Sequence, residues 1–356
     1  MSQSFASELR ELAKQQAFSN KPEDELLDFL ELHGLFPLAT SINENQLSSL
    51  PEHKSKLFAE VARANLQQTS LLQLLSAIEE AGLPRPLVFK GSALANQIYD
   101  ELWLRPKSDH DLLIPEDLKD AYDRVFNEEG FTKLVAIEGQ LVSYQSSYAP
   151  RESTQASVYF DVHWKLSNRQ CFRSVLEFSE LCSRHEQIKL SSSTFCVPSL
   201  VDSLLIAAIH RCGHHANEDR LIWLYDVHLL CQQLDDAQQA QLINLATQHR
   251  LIAIMQDTLQ NAFDYFAGPH TEALLVKLVA HTSLLADEAI EPSAALLRAA
   301  NSRAKLLYLD LVSLPSWRLR LLFVIENCFP SADYLRGRYQ TPFATLGFFK
   351  RLLRFA

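Results

Sequence analysis

Three acidic residues occupy positions where strand geometry can bring them together. Asp109 and Asp111 lie two positions apart in Asp109-His110-Asp111-Leu112-Leu113-Ile114, and Asp161 lies in Phe160-Asp161-Val162-His163-Trp164. Side chains alternate along a strand, so Asp109 and Asp111 share a face about 6–7 Å apart, while Leu112 and Ile114 turn the other way into a core. Carboxylates held close together repel unless a cation neutralises them. Hard oxygen donors of this kind suit Mg²⁺ or Mn²⁺. Asp161 alternates with Val158, Phe160, Val162 and Trp164, so it can complete a metal clamp or take the proton of an attacking hydroxyl. His163 shares the Asp161 face and is a candidate substrate contact. His110 points away from the acids and reads as structural.

Upstream, Leu87-Val88-Phe89-Lys90 reads as a short buried strand, Gly91 and Ser92 as a tight turn, and 93–99 as a helix. Amides at a helix start bind anions, and glycine lets a phosphate approach closely. Gly91 and Ser92 are therefore candidates for holding a phosphate, with the serine hydroxyl as a further donor. Lys90 can reach a phosphate or pair with one of the acids. A Gly-Ser pair alone is a weak signal; a D-x-D strand after it makes it more specific.

Positioning these residues takes a small sheet between helical regions. Residues 1–80 read as helices, with Leu71, Leu74, Leu75 and Ile78 on one face and an earlier helix ending near Gly34. A helix start is expected at 41–43. The region looks like a lid or packing layer without chemistry of its own. Further strands are expected at 109–114, 131–137, 141–148 and 157–165, a helix at 116–129, and a small hairpin within 186–197. From 198 onward the pattern is helical, and 221–230 is apolar nearly all round, hence buried. The expected fold is α+β: an N-terminal helical region (1–80), a mixed-sheet α/β core (81–197) and a C-terminal all-helical domain (198–356).

The 356-residue chain carries a net charge of −10, which argues against a long nucleic-acid track. Residues 298–356 run against this balance: ten Lys/Arg face three Asp/Glu, a surplus of seven, leaving the rest at −17. That segment reads as a solvated helical face or as a docking surface for an acidic partner, lipid headgroups or phosphates. The six cysteines form no CxxC pair, 1–21 is too polar for a leader, and no apolar run approaches the ~20 residues of a membrane span. The expectation is a cytoplasmic protein with reduced thiols and no transmembrane segment. His210, Cys212, His214 and His215 cluster at a helix end, and His210 and His214 share a face. No HExxH pattern and no second ligand pair accompany them, so a zinc site is the weaker reading.

Lys90-Gly91-Ser92-Ala93-Leu94, Tyr99, the string from Arg105 through Pro106, Lys107, Ser108, Asp109, His110 and Asp111 to Leu113, Asp161-Val162-His163-Trp164, and the stretch from Arg220 to Asp226 together resemble an uncharacterised nucleotidyltransferase family of the DNA polymerase β-like superfamily. The resemblance covers roughly 25–240, with a weaker echo at 330–339. It implies a minimal nucleotidyltransferase core and metal-dependent transfer of an NMP from an NTP, ATP first, to a small molecule or protein side chain. By position it implies phosphate contacts at Gly91 and Ser92 and metal ligands at Asp109, Asp111 and Asp161; Lys90 and Arg105 are further candidates for phosphate, and His163, His210, His214 and Arg220 are candidate substrate contacts, with a structural role the stronger reading for His163. A buried pair of Arg220 with Asp226 is the expected structural role of those two. Lys90 stands where the superfamily often has a second glycine, and the loop from Gly91 to Asp109 is long. The alternatives are a non-catalytic relative that binds a nucleotide or partner in the same cleft, and an HD-type phosphohydrolase, which would need His110-Asp111 on a helix.

Overall fold

The structure is a computed structural model that describes residues 23–42, 51–137, 139–152, 158–190, 193–214, 220–285 and 287–340, with Thr345 and Phe348. Its strands are β1 (Leu87–Phe89), β2 (Asp109–Leu113), β3 (Phe131–Lys133), β4 (Gln145–Pro150), β5 (Tyr159–His163), β6 (Glu186–Leu190) and β7 (Ser193–Val197). They form one seven-stranded mixed sheet in the order β3-β4-β5-β2-β1-β7-β6. β2 runs antiparallel to β1 and parallel to β5, and β7 joins β1 in parallel.

Period-two alternation divides the sheet residues between two cores. On one face Val88, Leu112, Phe160, Val162 and Phe195 meet α3 (Pro51–Glu80) and α5 (Lys119–Glu128), through Leu71, Leu74 and Ile78 and through Tyr122, Val125 and Phe126. Phe160 lies edge-on to Phe126 and Phe131 at 5.7 and 5.1 Å. Each such ring, once fully buried, contributes about 1.5–3 kcal/mol. On the other face Leu87, Phe89 and Leu113 join a larger core. It draws on α1 (Glu23–Leu32), α2 (Phe36–Ile42), α4 (Lys90–Gln97), α7 (Leu200–His214), α8 (Leu221–Gln233) and α10 (Ile252–Phe266). α6 (Phe178–Ser183), α9 (Asp236–Gln248), α11 (Pro269–Thr282) and α12 (Asp287–Ala299) complete the main body before the three tail helices. α8 is buried on nearly every side apart from Trp223, as its all-round apolar sequence requires.

Several expected boundaries move. Residues 41–42 end α2 rather than start a helix: the Thr40 and Ser41 hydroxyls donate to carbonyls three or four residues back, inside the helix. The start expected at 41–43 otherwise falls at residue 43, outside the described residues, as does 1–21. β3 stops at Lys133, and Leu134 and Val135 are exposed beyond it. The strand expected from 141 begins at Gln145, because Leu141 turns inward instead of alternating. It joins Leu314 and Phe323 in a small third core. The 186–197 hairpin is present as β6 and β7 and extends the main sheet.

That third core is built by α13 (Arg303–Ser313) and α14 (Trp317–Cys328), followed by α15 (Ala332–Tyr339). Glu326 of α14 accepts the amides of Gln140 and Leu141 at 2.8 and 2.9 Å. The fit needs glycine next door, since a Cβ at Gly139 would meet a Glu326 oxygen at 2.5 Å. Asp310 of α13 accepts from Arg169 Nη1 and the Gln170 amide, both at 2.8 Å. Among the described residues no helix is long and apolar enough to cross a membrane.

Candidate active site

Strand register builds the acid cluster. Asp111 on β2 lies directly opposite Asp161 on β5, β1 sets Phe89 beside Asp111, and β4 sets Ser147 beside Asp161. One row across the sheet is therefore Phe89, Asp111, Asp161, Ser147, with neighbouring strands ~4.8 Å apart. The Ser147 hydroxyl donates to Asp161 Oδ1 at 2.5 Å, and Gln145 Nε2 donates to Oδ2 at 3.3 Å. Lys90 Nζ donates to Asp111 Oδ1 at 2.6 Å, and His163 Nε2 lies 3.0 Å from the same oxygen. A carboxylate only accepts, so the His163 proton sits on Nε2. Ligand atoms of Asp111, Asp161 and His163 lie within 4.8 Å of one another. Asp109, expected as the third metal ligand, is outside that set. It lines the same cleft one alternation earlier on β2 and takes a hydrogen bond from Ser108 at 3.0 Å.

Electrostatics separates the two acids of β2. Burial alone would raise the Asp111 carboxyl, but the Lys90 ammonium, then the His163 hydrogen bond, outweigh it and hold Asp111 well below the usual carboxylate range. Burial, then the charges of Asp111 and Asp161, push Asp109 up to about 6. Burial and Lys90 push His163 below its ordinary value, so it stays neutral at pH 7. Lys90 also carries a backbone φ of 53°, left-handed geometry that glycine adopts freely and a lysine adopts at a cost of about 1–2 kcal/mol. The chain accepts this strain at Lys90 while gaining an ammonium against Asp111.

The groups expected to hold phosphate are largely committed elsewhere. Ser92 is buried, and its hydroxyl meets His110 Nδ1 at 2.8 Å; His110 Nε2 faces the Gln67 carbonyl at 2.9 Å. Because that carbonyl only accepts, the His110 proton sits on Nε2, and Nδ1 accepts from Ser92. Burial, then the Lys107 charge, lower His110 to about 3, so the ring remains neutral. It stacks on Phe160 at 5.2 Å, facing away from the acids as expected.

Arg105 also turns to protein. Its Nε and Nη2 reach the two oxygens of Asp226 at 2.8 and 2.7 Å, where Tyr99 also donates at 2.7 Å, and its Nη1 donates to the Pro106 carbonyl. The buried partner of Asp226 is thus Arg105, a correction to the Arg220 pairing. Arg220 is exposed at the head of α8, donates to the Leu32 carbonyl at 3.2 Å and lies 5.6 Å over the Trp223 ring.

Gly91, Lys90, Arg105 and the three acids face a cleft of about 890 Å³. Its opposite wall comes from the N-terminal helices, which were expected to carry no chemistry. Lys56, Ala59, Glu60 and Arg63 line it from one face of α3, at the i, i+3, i+4, i+7 spacing that was readable in the sequence. His210 and Trp223 line it from α7 and α8, their rings 5.1 Å apart. The His214 side chain and His215 lie outside the described residues. Cys212 is buried, its thiol pushed up to about 12 by burial, and neither it nor His210 joins a metal-holding group among the described residues. All six cysteines are free.

Lys107 was missed as a candidate. It lines the cleft beside Gly91, and its ammonium is buried with no hydrogen-bond partner among the described residues. Burial, then Arg105, lower it to about 8.

The donor set fits a divalent cation. Asp109, Asp111 and Asp161 face the cleft with one ammonium, that of Lys90, hydrogen-bonded among them and a neutral imidazole alongside. The local charge is therefore short of neutral, and the donors are mainly hard oxygens. A family model described as uncharacterised nucleotidyltransferase matches residues 19–267. Among curated proteins none matches the chain.

Proposed function

This chain belongs to that uncharacterised nucleotidyltransferase family, and we propose that it transfers a nucleoside monophosphate from a nucleoside triphosphate, ATP first, to a hydroxyl of a small molecule or a protein side chain. The observation that carries the reading is the parallel register that sets Asp111 against Asp161 on the cleft face of the sheet. Asp111 and Asp161 would hold Mg²⁺ or Mn²⁺, with Asp109 beside them. When bound, the cation neutralises charge on the triphosphate and on the leaving pyrophosphate.

The residues account for the remaining steps. His163 holds the Asp111 carboxylate by its Nε2 proton, and Ser147 and Gln145 hold Asp161, so both acids are oriented before substrate arrives. The acceptor oxygen attacks the α-phosphorus, the bond from that phosphorus to the bridging oxygen breaks, and pyrophosphate leaves. An Asp161 oxygen takes the acceptor's proton. Gly91 lines the cleft in the first turn of α4 beside Lys107, which offers the triphosphate an ammonium without a protein acceptor among the described residues. The cleft volume of about 890 Å³ lies at the upper end of ordinary ligand sites, which suits a nucleotide together with an acceptor.

The test is incubation of the full chain with Mg²⁺ or Mn²⁺ and each labelled nucleoside triphosphate, with and without cell extract as acceptor source. Pyrophosphate release that needs the metal, with label moving to an acceptor or to the chain itself, is the expected result. Tight nucleotide binding by calorimetry without any turnover would leave a silent binder.

A further inference from the structure

The basic C-terminal segment has an outward surface that the transferase reading leaves without a use. At about 100° per residue, α14 places Leu319, Leu322, Phe323 and Glu326 on the side that packs against the body, and Trp317, Leu321, Val324 and Ile325 on the side that faces solvent. Trp317 is 69% exposed and Leu321 51%. α13 also exposes Tyr308, at 64%, and Val312, and Phe329 after α14 is 65% exposed with its ring stacked on Phe348 at 5.6 Å. This helix is apolar on both sides, whereas a surface helix in water keeps only its inner stripe apolar.

Among the described residues, the exposed charges of α13 and α14 are all basic. Lys305 and Arg318 are exposed beside that face, and Arg318 lies 5.7 Å over the Trp317 ring. The acids of the segment are spent. Asp310 and Glu326 turn inward to Arg169, Gln170 and the 140–141 amides, and Asp333 pairs with Arg336. Residues 341–356 add Lys350, Arg351 and Arg354 and no acid. The chain is therefore polarised, with a surplus of seven positive charges in 298–356 and −17 elsewhere.

We propose that the outward face of α13 and α14 docks this protein on an anionic lipid surface. Exposed aliphatic side chains supply the insertion, Trp317 and Tyr308 suit the headgroup level where a ring has one apolar and one wet side, and Lys305 and Arg318 meet lipid phosphate. The −17 remainder is repelled by the same surface, which fixes which side of the protein faces it. A second copy of the chain is a poorer occupant, because a twofold contact through this face would bring the Arg318 and Lys305 charges of both copies together. The inference stands apart from the transferase reading and does not depend on it.

Sedimentation of the full chain with phosphatidylcholine vesicles, with and without a quarter phosphatidylglycerol, tests it. Binding to the mixed vesicles only, weakened by added salt, is expected. The double variant Leu321→Glu with Val324→Glu changes only outward side chains and should lower the partition coefficient about a hundredfold. Arg318→Glu, which touches no buried contact, should lower it about tenfold and serves if the double variant fails to fold. No binding to mixed vesicles, equal binding to both kinds, or undiminished binding by Arg318→Glu would overturn the proposal. Self-association of the wild-type chain lost in Leu321→Glu, without vesicle binding, would give the face to a second copy instead.

Discussion

Two regions face the same cleft and are held by different means. On the sheet, Asp111 and Asp161 are fixed by backbone pairing, so their direction follows from register, and side-chain partners only trim their angle. At the first turn of α4, which begins at Lys90 rather than at residue 93 and so takes in Gly91 and Ser92, and in the 105–108 loop, no ladder between strands fixes direction. There Ser92 goes to His110, Arg105 to Asp226 and Lys90 to Asp111, while Lys107 has no acceptor. The sheet supplies negative charge that calls for a cation. The turn supplies donors mostly satisfied by the protein, so phosphate affinity rests on few of them.

The largest test of this contrast is Asp111→Asn. The variant keeps its hydrogen-bonding shape but removes the charge that faces Asp161 and Lys90. Metal-dependent pyrophosphate release should fall at least about 10⁴-fold, a barrier increase of roughly 5 kcal/mol. Measurable turnover within tenfold of wild type would remove the acid row from the chemistry. Next comes Arg105→Leu. If Arg105 belongs to the fold, losing it leaves Asp226 a buried, unpaired charge, at a cost of about 3–5 kcal/mol in urea unfolding. Replacing both residues, Arg105→Leu with Asp226→Leu, should restore much of that loss. A stable Arg105→Leu protein with weakened triphosphate binding would instead return Arg105 to the phosphate group.

What the sequence could reveal follows the same division. Asp109, Asp111 and Asp161 were legible because period two fixes a side chain's face, and apolar neighbours such as Leu112 and Phe160 say which face is core. The inward turn of Leu141 was illegible: it depends on Glu326, some 185 positions away, and no local pattern announces that contact. The commitment of Arg105 to Asp226 across 121 positions is of the same kind. His163 was placed on the correct face, yet its bond to Asp111 needed the register of two strands that are neighbours only in space. The polar face of α3, with Lys56 and Arg63, was readable as a helical stripe, but only the folded cleft shows that it faces the acids.

Lys107→Met sharpens the turn side of the contrast. An ammonium buried without an acceptor and lowered to about 8 destabilises the fold below that pH, and the penalty fades as pH rises toward its ordinary 10.5. The variant should gain about 1–3 kcal/mol at pH 7 in the absence of nucleotide and lose roughly tenfold in triphosphate affinity by calorimetry. Loss of stability together with unchanged affinity would make Lys107 a structural residue.

Asp109 gives the smallest effect and the clearest pH signature. Its folded value of about 6 lies above its ordinary 3.8, so between those limits the folded chain keeps a proton that the unfolded chain releases. Stability therefore falls as pH rises through about 4 to 6. The cost of ionising Asp109 is absent below that window and complete above it. Asp109→Asn removes that cost, and should raise metal-free stability by about 1–2 kcal/mol at pH 7 and by nothing near pH 4. Added Mg²⁺ should stabilise the wild type more than the variant, because the cation offsets the charge that Asn lacks. A gain that is the same at pH 4 and pH 7, or that Mg²⁺ leaves untouched, would mean that Asp109 does not share the field of Asp111 and Asp161, and the acid cluster would shrink to the one row across the sheet.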